Sequence, residues 1–348
     1  MFKKRSSAKT AVVGLDLDPS HIAAAEVDVN GSIQVRRGAV APLAPGILRD
    51  GEVGDPARLT QALRAIWDEH ELPRRVRLGI ANQRIVVRTL DLPVTADPKE
   101  LKTAVEAEAP DHIPMPMGEA VVDFQSLGVV ATPAGPRSRV VIVAVRREMI
   151  DRIVGVTRDA GLQLVGIDLS AFGMVRALRG GQGNAQLYVN VAGLTNVAVA
   201  NGSGCLFTRA ASGGLDALVQ TLAERGNLTL EHSQQWLQHV GLLAPVEEIE
   251  GDAELVAAAR TVLDEGTHQL ADTIRNSLNF YRTQAGAERV ETGVVTGPVL
   301  GIPGFGERLS ELLSLPLETA VVGLKDDGSA VDVGRLTVAA GLAVDAPV

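Results

Sequence analysis

The sequence predicts an α/β fold made of two related halves, with a small α+β unit inserted into the first. Three observations predict it. Residues 13–31, "VGLDLDPSHIAAAEVDVNG", read as an apolar strand, a polar tight turn and a second strand that closes on Asn-Gly, the strongest short hairpin signal. A weaker echo, "LYVNVAGLTNVAVANG" at 187–202, repeats that unit about half a chain later, as a duplicated domain would. Between the two, the texture changes at Asp97 to helix, strand, strand, helix, strand. The halves are expected at 1–185 and 186–348, with the insert at about 96–168.

Each element has a local reason. In "DPARLTQALRAIWDEH", Asp55 is placed to cap a helix with Pro56 in its first turn, and Leu59, Leu63 and Ile66 share one face. "RVRLGIA" and "RIVVRTLDLP" are β-rich runs. "DPKELKTAVEAEAP" repeats the cap with Asp97 and Pro98, sets Glu100 at the capping-box position, and is expected to stop at Pro110. Prolines 110, 114 and 116 then mark a loop before the strands "VVDFQSLGVV" and "RVVIVAVRR", the helix "EMIDRIVGVTRDAGL" and the strand "QLVGIDLS". Past the second hairpin come the helices "GGLDALVQTLAERG" and "TLEHSQQWLQHVGL", a long helix from about Glu254 to Thr283, and the apolar helix "RLTVAAGLAV".

Composition narrows the function. The chain has 348 residues, 46% hydrophobic and 22% charged, enough for two cores. A net charge of -9 spread along the chain, with 3% aromatics, excludes a phosphate-tracking or base-stacking surface, so no nucleic-acid partner is expected. The single cysteine, Cys205, cannot form an internal disulfide and reads as a buried strand residue of a cytoplasmic protein. No apolar run is long enough to span a bilayer, and "MFKKRSSAKTAVV" lacks a signal h-region, so it reads as a solvated basic tail, with contact to a partner or to anionic lipid as the alternative. There is no GxxxxGK[ST] loop, GxGxxG helix start, HExxH, paired CxxC or GxSxG elbow, and the six histidines are scattered.

What remains is the pair of hairpins. A tight turn between strands aims backbone N–H groups outward, where they can cradle phosphate oxygens, and a carboxylate at the strand end can hold Mg²⁺ through water. Each turn alone is equally an ordinary buried hairpin. Two of them at half-chain spacing favour a nucleotide clamp.

"GLDLDPSHIAAAEV", "AVEAEAPDHIPMP", "VVDFQSLG", "AGLQLVGIDLSAFGMVRAL", "FTRAASGGLDAL", "NSLNFYRTQ" and "AAGLAV" resemble, in order, the signatures of the type IV pilus assembly family PilM, an actin-like family related to the cell-division protein FtsA. The stretch from Leu101 to Leu178 is the most specific part of the resemblance. It implies an actin-like (ASKHA) duplicated fold whose insert is a small α+β, SHS2-like subdomain. It further implies a nucleotide site around Asp16, Asp18, Ser20, Asn190, Gly193, Thr195, Gly213, Gly214 and Gly297, with Asp16 holding Mg²⁺ through water if MgATP binds.

The family turn normally reads Asp-x-Gly, and here Asp18 stands at the glycine position. Asn190 replaces the carboxylate of the second turn, and Gly297-Pro298 replaces a glycine pair, which removes one N–H. A carboxylate about 4 Å from a phosphate charge costs roughly 4 kcal/mol at an effective dielectric of 20, about a thousandfold in affinity. ATP and Mg²⁺ are therefore expected to bind weakly or not at all, and no enzymatic turnover is expected.

The function that the resemblance implies is a cytoplasmic adaptor at the inner face of the membrane, holding the N-terminal tail of PilN in a groove between the first core and the insert. Glu106, His112, Ile113, Pro114 and Phe124 are the candidate lining, set against Ile113 and Phe124 as core and Glu106 as a solvated face. Contact with the pilus motor ATPase and self-association stay open, as does an active ATPase or kinase whose nucleotide state controls partner binding. Direct membrane insertion is not expected, because the C-terminus "LTVAAGLAVDAPV" has no basic face.

Overall fold

The computed structural model describes residues 11–179, 183–284, 286–325 and 332–345. The basic tail at residues 1–10 lies outside them. Two sheets of matching order dominate the molecule. In the first half, β1 (Val13–Asp18), β2 (His21–Asn30) and β3 (Ser32–Pro42) form an antiparallel meander. A small hairpin of β4 (Leu48–Arg49) and β5 (Glu52–Val53) leads to α1 (Pro56–His70), and β6 (Arg75–Ile80) then pairs parallel to β1. In the second half, β11 (Gln186–Val191), β12 (Thr195–Asn201) and β13 (Gly204–Ala211) repeat the meander, and β14 (Gly293–Thr296) pairs parallel to β11. The duplication read from the two hairpins is the repetition of this topology.

The local signals act as expected. The Asp55 carboxylate accepts the Arg58 N–H at 3.0 Å, and α1 buries Leu59, Leu63, Ile66 and Trp67. Each such side chain removed from water contributes roughly 1.5–3 kcal/mol. Glu100 behaves differently from a capping box: it accepts a bond from Thr95 Oγ1 at 2.5 Å, and the Asp97 N–H donates to Thr95 Oγ1 instead.

Between β6 and β11 lie β7 (Val86–Leu92), α2 (Pro98–His112), β8 (Ala120–Thr132), β9 (Gly135–Arg146), α3 (Arg147–Asp159), β10 (Gln163–Leu169) and α4 (Ser170–Leu178). The separate three-stranded sheet has the order β7-β9-β8, with α2 over a core of Val105, Ala109, Ile113, Val140 and Ile142. This differs from the expected insert at 96–168 at both ends. β7 belongs to the small sheet, because it pairs along its whole length with β9. β10 belongs to the large sheet beside β6, and α3 buries Ile153 and Val156 in the first core. α2 also runs past Pro110 to His112, since a proline in the last turn forfeits only one backbone bond and the Ile113 N–H still reaches Ala109 O at 3.1 Å.

The second half continues with α5 (Leu215–Gly226), α6 (Leu230–Val240), α7 (Ala253–Arg282), α8 (Phe305–Leu313) and β15 (Leu317–Thr319), which joins β14 at the sheet edge. β16 (Gly323–Leu324) and α9 (Val333–Leu342) then return to the first half, so the expected second half of 186–348 gives up its last elements. β16 pairs with β3, and α9, buried along nearly its whole length, packs among α4, β1 and β2. Gly14 permits that approach: a Cβ there would lie 1.8 Å from Ala339 O. Among the described residues, no helix is long and apolar enough to cross a membrane.

Candidate functional site

The two hairpin turns face one another across the seam between the halves. From the first half, the Asp18 carboxylate reaches the second turn, where Oδ2 accepts the Gly193 N–H at 2.8 Å and the Leu194 N–H at 3.4 Å. Its Oδ1 accepts the Ser20 N–H at 3.3 Å. Ser20 Oγ lies 3.1 Å from Asp18 Oδ1, 2.9 Å from Asp216 Oδ1 and 2.8 Å from His21 Nδ1. One hydroxyl proton cannot serve two ionised carboxylates, so the network is complete when one carboxyl carries a proton.

Electrostatics agree with that count. Burial pushes the Asp216 carboxyl up to about 6, and the nearby Asp18 charge pushes it the same way. Asp18 is also raised by burial, against the pull of Arg335. Burial holds His21 down at about 3, with Arg335 adding to the effect, so the imidazole is neutral. Asp16 stands behind this network. It accepts a bond from Ser170 Oγ at 2.8 Å, and burial raises it to about 7 despite that bond.

The remaining sequence-predicted positions brace the turns. Thr195 Oγ1 donates to Gly213 O at 2.8 Å, and Gly214 caps α5 while Leu215 N–H donates to Ala192 O at 2.7 Å. Asn190 is buried in β11, and a Cβ on Gly297, at φ +105°, would meet Asn190 Oδ1 at 2.6 Å. Gly297 in turn packs against Gly334 at the start of α9. The space left between Asp16, Asp18, Asn190, Pro298 and Arg335 is about 10 Å³, roughly one water. In this arrangement the Gly193 and Leu194 N–H groups of the second turn are taken by the Asp18 carboxylate. Among the described residues there is no cluster of three or more side chains suited to a metal ion.

A second, larger space lies between the insert and the first half. It is a groove of about 640 Å³ walled by Val121, Val141 and Val143 on the small sheet and by Ile80, Ile167 and Phe172 on the core. Of the five positions proposed from sequence, Phe124 lines it. Ile113 is buried in the insert core, while Glu106, His112 and Pro114 are exposed, with Glu106 3.8 Å from Lys102. Arg77 spans one part of the groove by donating to Leu342 O and Val344 O and pairing with Asp345.

Sequence reasoning missed Asp216, Ser170 and Arg335 in the cleft and the valines of β9 in the groove. Arg335 carried a usable signal, as the lone charge in an apolar helix that must be buried all round. Cys205 is buried, and desolvation pushes its thiol up to about 12, which fits a strand residue and not a nucleophile.

A family model described as type IV pilus assembly protein PilM matches residues 14–331. Among solved structures, a chain of a "PilM-PilN type IV pilus biogenesis complex" is similar with a TM-score of 0.76 and 25% identity, over 96% of this chain and 97% of that one. The ethanolamine utilization protein EutJ from Carboxydothermus hydrogenoformans is similar at TM-score 0.53 and 18% identity, over 95% and 88% of the two chains. MreB5 of Spiroplasma citri bound to ADP is similar at TM-score 0.54 and 12% identity, over 96% and 95%. At these identities, EutJ and MreB5 speak for the fold alone, which is actin-like.

Proposed function

Since the chain belongs to the PilM family of type IV pilus assembly proteins, we propose that it works as an adaptor on the cytoplasmic side of the membrane, holding the N-terminal tail of a PilN partner in the groove beside the insert. The observation that carries this reading is the groove itself, whose volume and apolar walls suit a bound segment. The similar solved structure is that of a PilM-PilN complex, and it supports the choice of partner. Membrane attachment then comes through that partner.

The same reading makes the nucleotide site degenerate and the protein a binder, not an enzyme. Support comes from the Asp18 carboxylate on the Gly193 and Leu194 N–H groups, which are the donors a phosphate would use. ATP and Mg²⁺ are accordingly weak or absent ligands. Calorimetric titration tests both parts. A peptide copying the PilN tail from the same genome is expected to bind at micromolar strength or tighter, and MgATP is expected to give no heat. A folded sample that ignores the peptide removes the adaptor reading; tight MgATP binding removes the degenerate site.

A further inference from the structure

We propose that the groove takes its peptide as an added β-strand, paired through the backbone with the free edge of β10; this rests on the reading that a partner tail occupies the groove. β10 ends the sheet order β10-β6-β1-β2-β3-β16, so among the described residues β6 is its sheet neighbour on one side and none lies on the other. The Leu169 N–H donates to the Asp168 carboxylate at 2.8 Å, which places it on the side away from β6. The N–H and C=O of one strand residue point the same way, and the direction alternates along the chain. Ile167 therefore presents both of its backbone groups to that open side.

Ile167, Asp168 and Leu169 all line the groove. Successive strand side chains point to opposite faces, so three consecutive lining residues mean that the groove runs along the edge of β10 and not over one face of it. The opposite wall is the face of β9, from which the alternate residues Val141, Val143 and Val145 line the groove, and it continues onto β8, the edge strand of the small sheet, at Asp123, Phe124 and Gln125. Val121 and Asp123 on β8 pair with Val145 and Val143 on β9, giving adjacent rows that every second side chain of an added strand would meet. Arg77 and Arg176 are paired with Asp345 and Asp168. Asp123 is exposed, its Oδ1 takes the Phe124 N–H at 2.8 Å, and among the described residues it has no ion-pair partner. The occupant that fits is an extended, mostly apolar segment carrying a positive charge opposite Asp123.

The test is a titration of the full-length protein with the PilN-tail peptide and with a set of copies, each N-methylated at one residue. Strand addition expects alternation: a methyl on every second amide across the bound segment weakens binding about tenfold, and a methyl on the intervening amides leaves it within about twofold. In the complex, exchange of the Ile167 amide proton slows as well. Equal tolerance at every position, or losses without alternation, overturns strand addition while the tail-binding reading stands. If the unmodified peptide does not bind the folded protein, that reading falls first and the added strand with it.

Discussion

The cleft between the halves and the groove beside the insert are both seams between packed units, yet they are finished in opposite ways. In the cleft, Asp18, Ser20 and Asp216 meet the Gly193 turn, and about 10 Å³ of space is left. In the groove, valines and isoleucines face one another across about 640 Å³. A seam whose polar groups already have partners gains little from a ligand, because binding only exchanges one set of hydrogen bonds for another. A seam with unpaired apolar walls gains the transfer of that surface out of water. That difference supports the proposed use of the groove as the binding site over the cleft, and four experiments test it.

The largest effect is expected from Asp18→Gly. Removing the carboxylate frees the Gly193 and Leu194 N–H groups and lifts a repulsion of roughly 4 kcal/mol from any phosphate placed there, about a thousandfold in affinity. Calorimetry is expected to find the wild type silent and the variant binding MgATP. A variant that stays silent means that the cleft is closed by more than this one side chain. Next in size is Val143→Arg, which sets a charge into the apolar wall of the groove. Binding of the PilN-tail peptide is expected to fall about a hundredfold with the thermal midpoint of unfolding little changed. Unaltered affinity would move the binding surface elsewhere.

How much of this was legible in the sequence depends on range. Capping by Asp55 and the hairpin at Asn30-Gly31 are decided within a few residues, and both were readable. The ends of the insert were not, because β7 and β10 are similar apolar strands, and only pairing with β9 or β6 decides which sheet each one joins. The return of α9 to the first half is likewise a long-range event. Asp18 was readable as a departure from the Asp-x-Gly turn of the family it resembles. Its bond across the seam to Gly193 was not, since that needs the distance between two turns half a chain apart. The groove picks followed an unusual local string, 112–114, whereas the groove is lined by the regular valines of β9.

A smaller effect concerns pH. Asp16 sits at about 7 in the folded protein, above its ordinary carboxylate value in the unfolded chain. Raised in this way, it contributes stability that is complete below about pH 4 and lost as pH rises through about 7. His21, held low, has the opposite slope below neutrality, so the two must be separated by difference. Asp16→Asn copies the protonated form and keeps an acceptor for Ser170. Discounted for partial exposure, the variant is expected to match the wild type near pH 4 and to exceed it by roughly 2 kcal/mol at pH 8 in urea unfolding. A variant that is less stable at pH 8 would show that the ionised carboxylate is needed in the cleft.

The smallest effect is expected where the sequence first pointed. Glu106 lies on the exposed face of α2, 3.8 Å from Lys102 one helical turn back, and neither residue reaches the groove. Such a surface pair contributes about 0.3–0.5 kcal/mol to the helix. Glu106→Ala is expected to change peptide affinity by less than about twofold, within what that energy allows. A tenfold loss would place the partner across α2 and the core of the insert, and would separate the binding surface from the open groove that β10 and the β9 valines define.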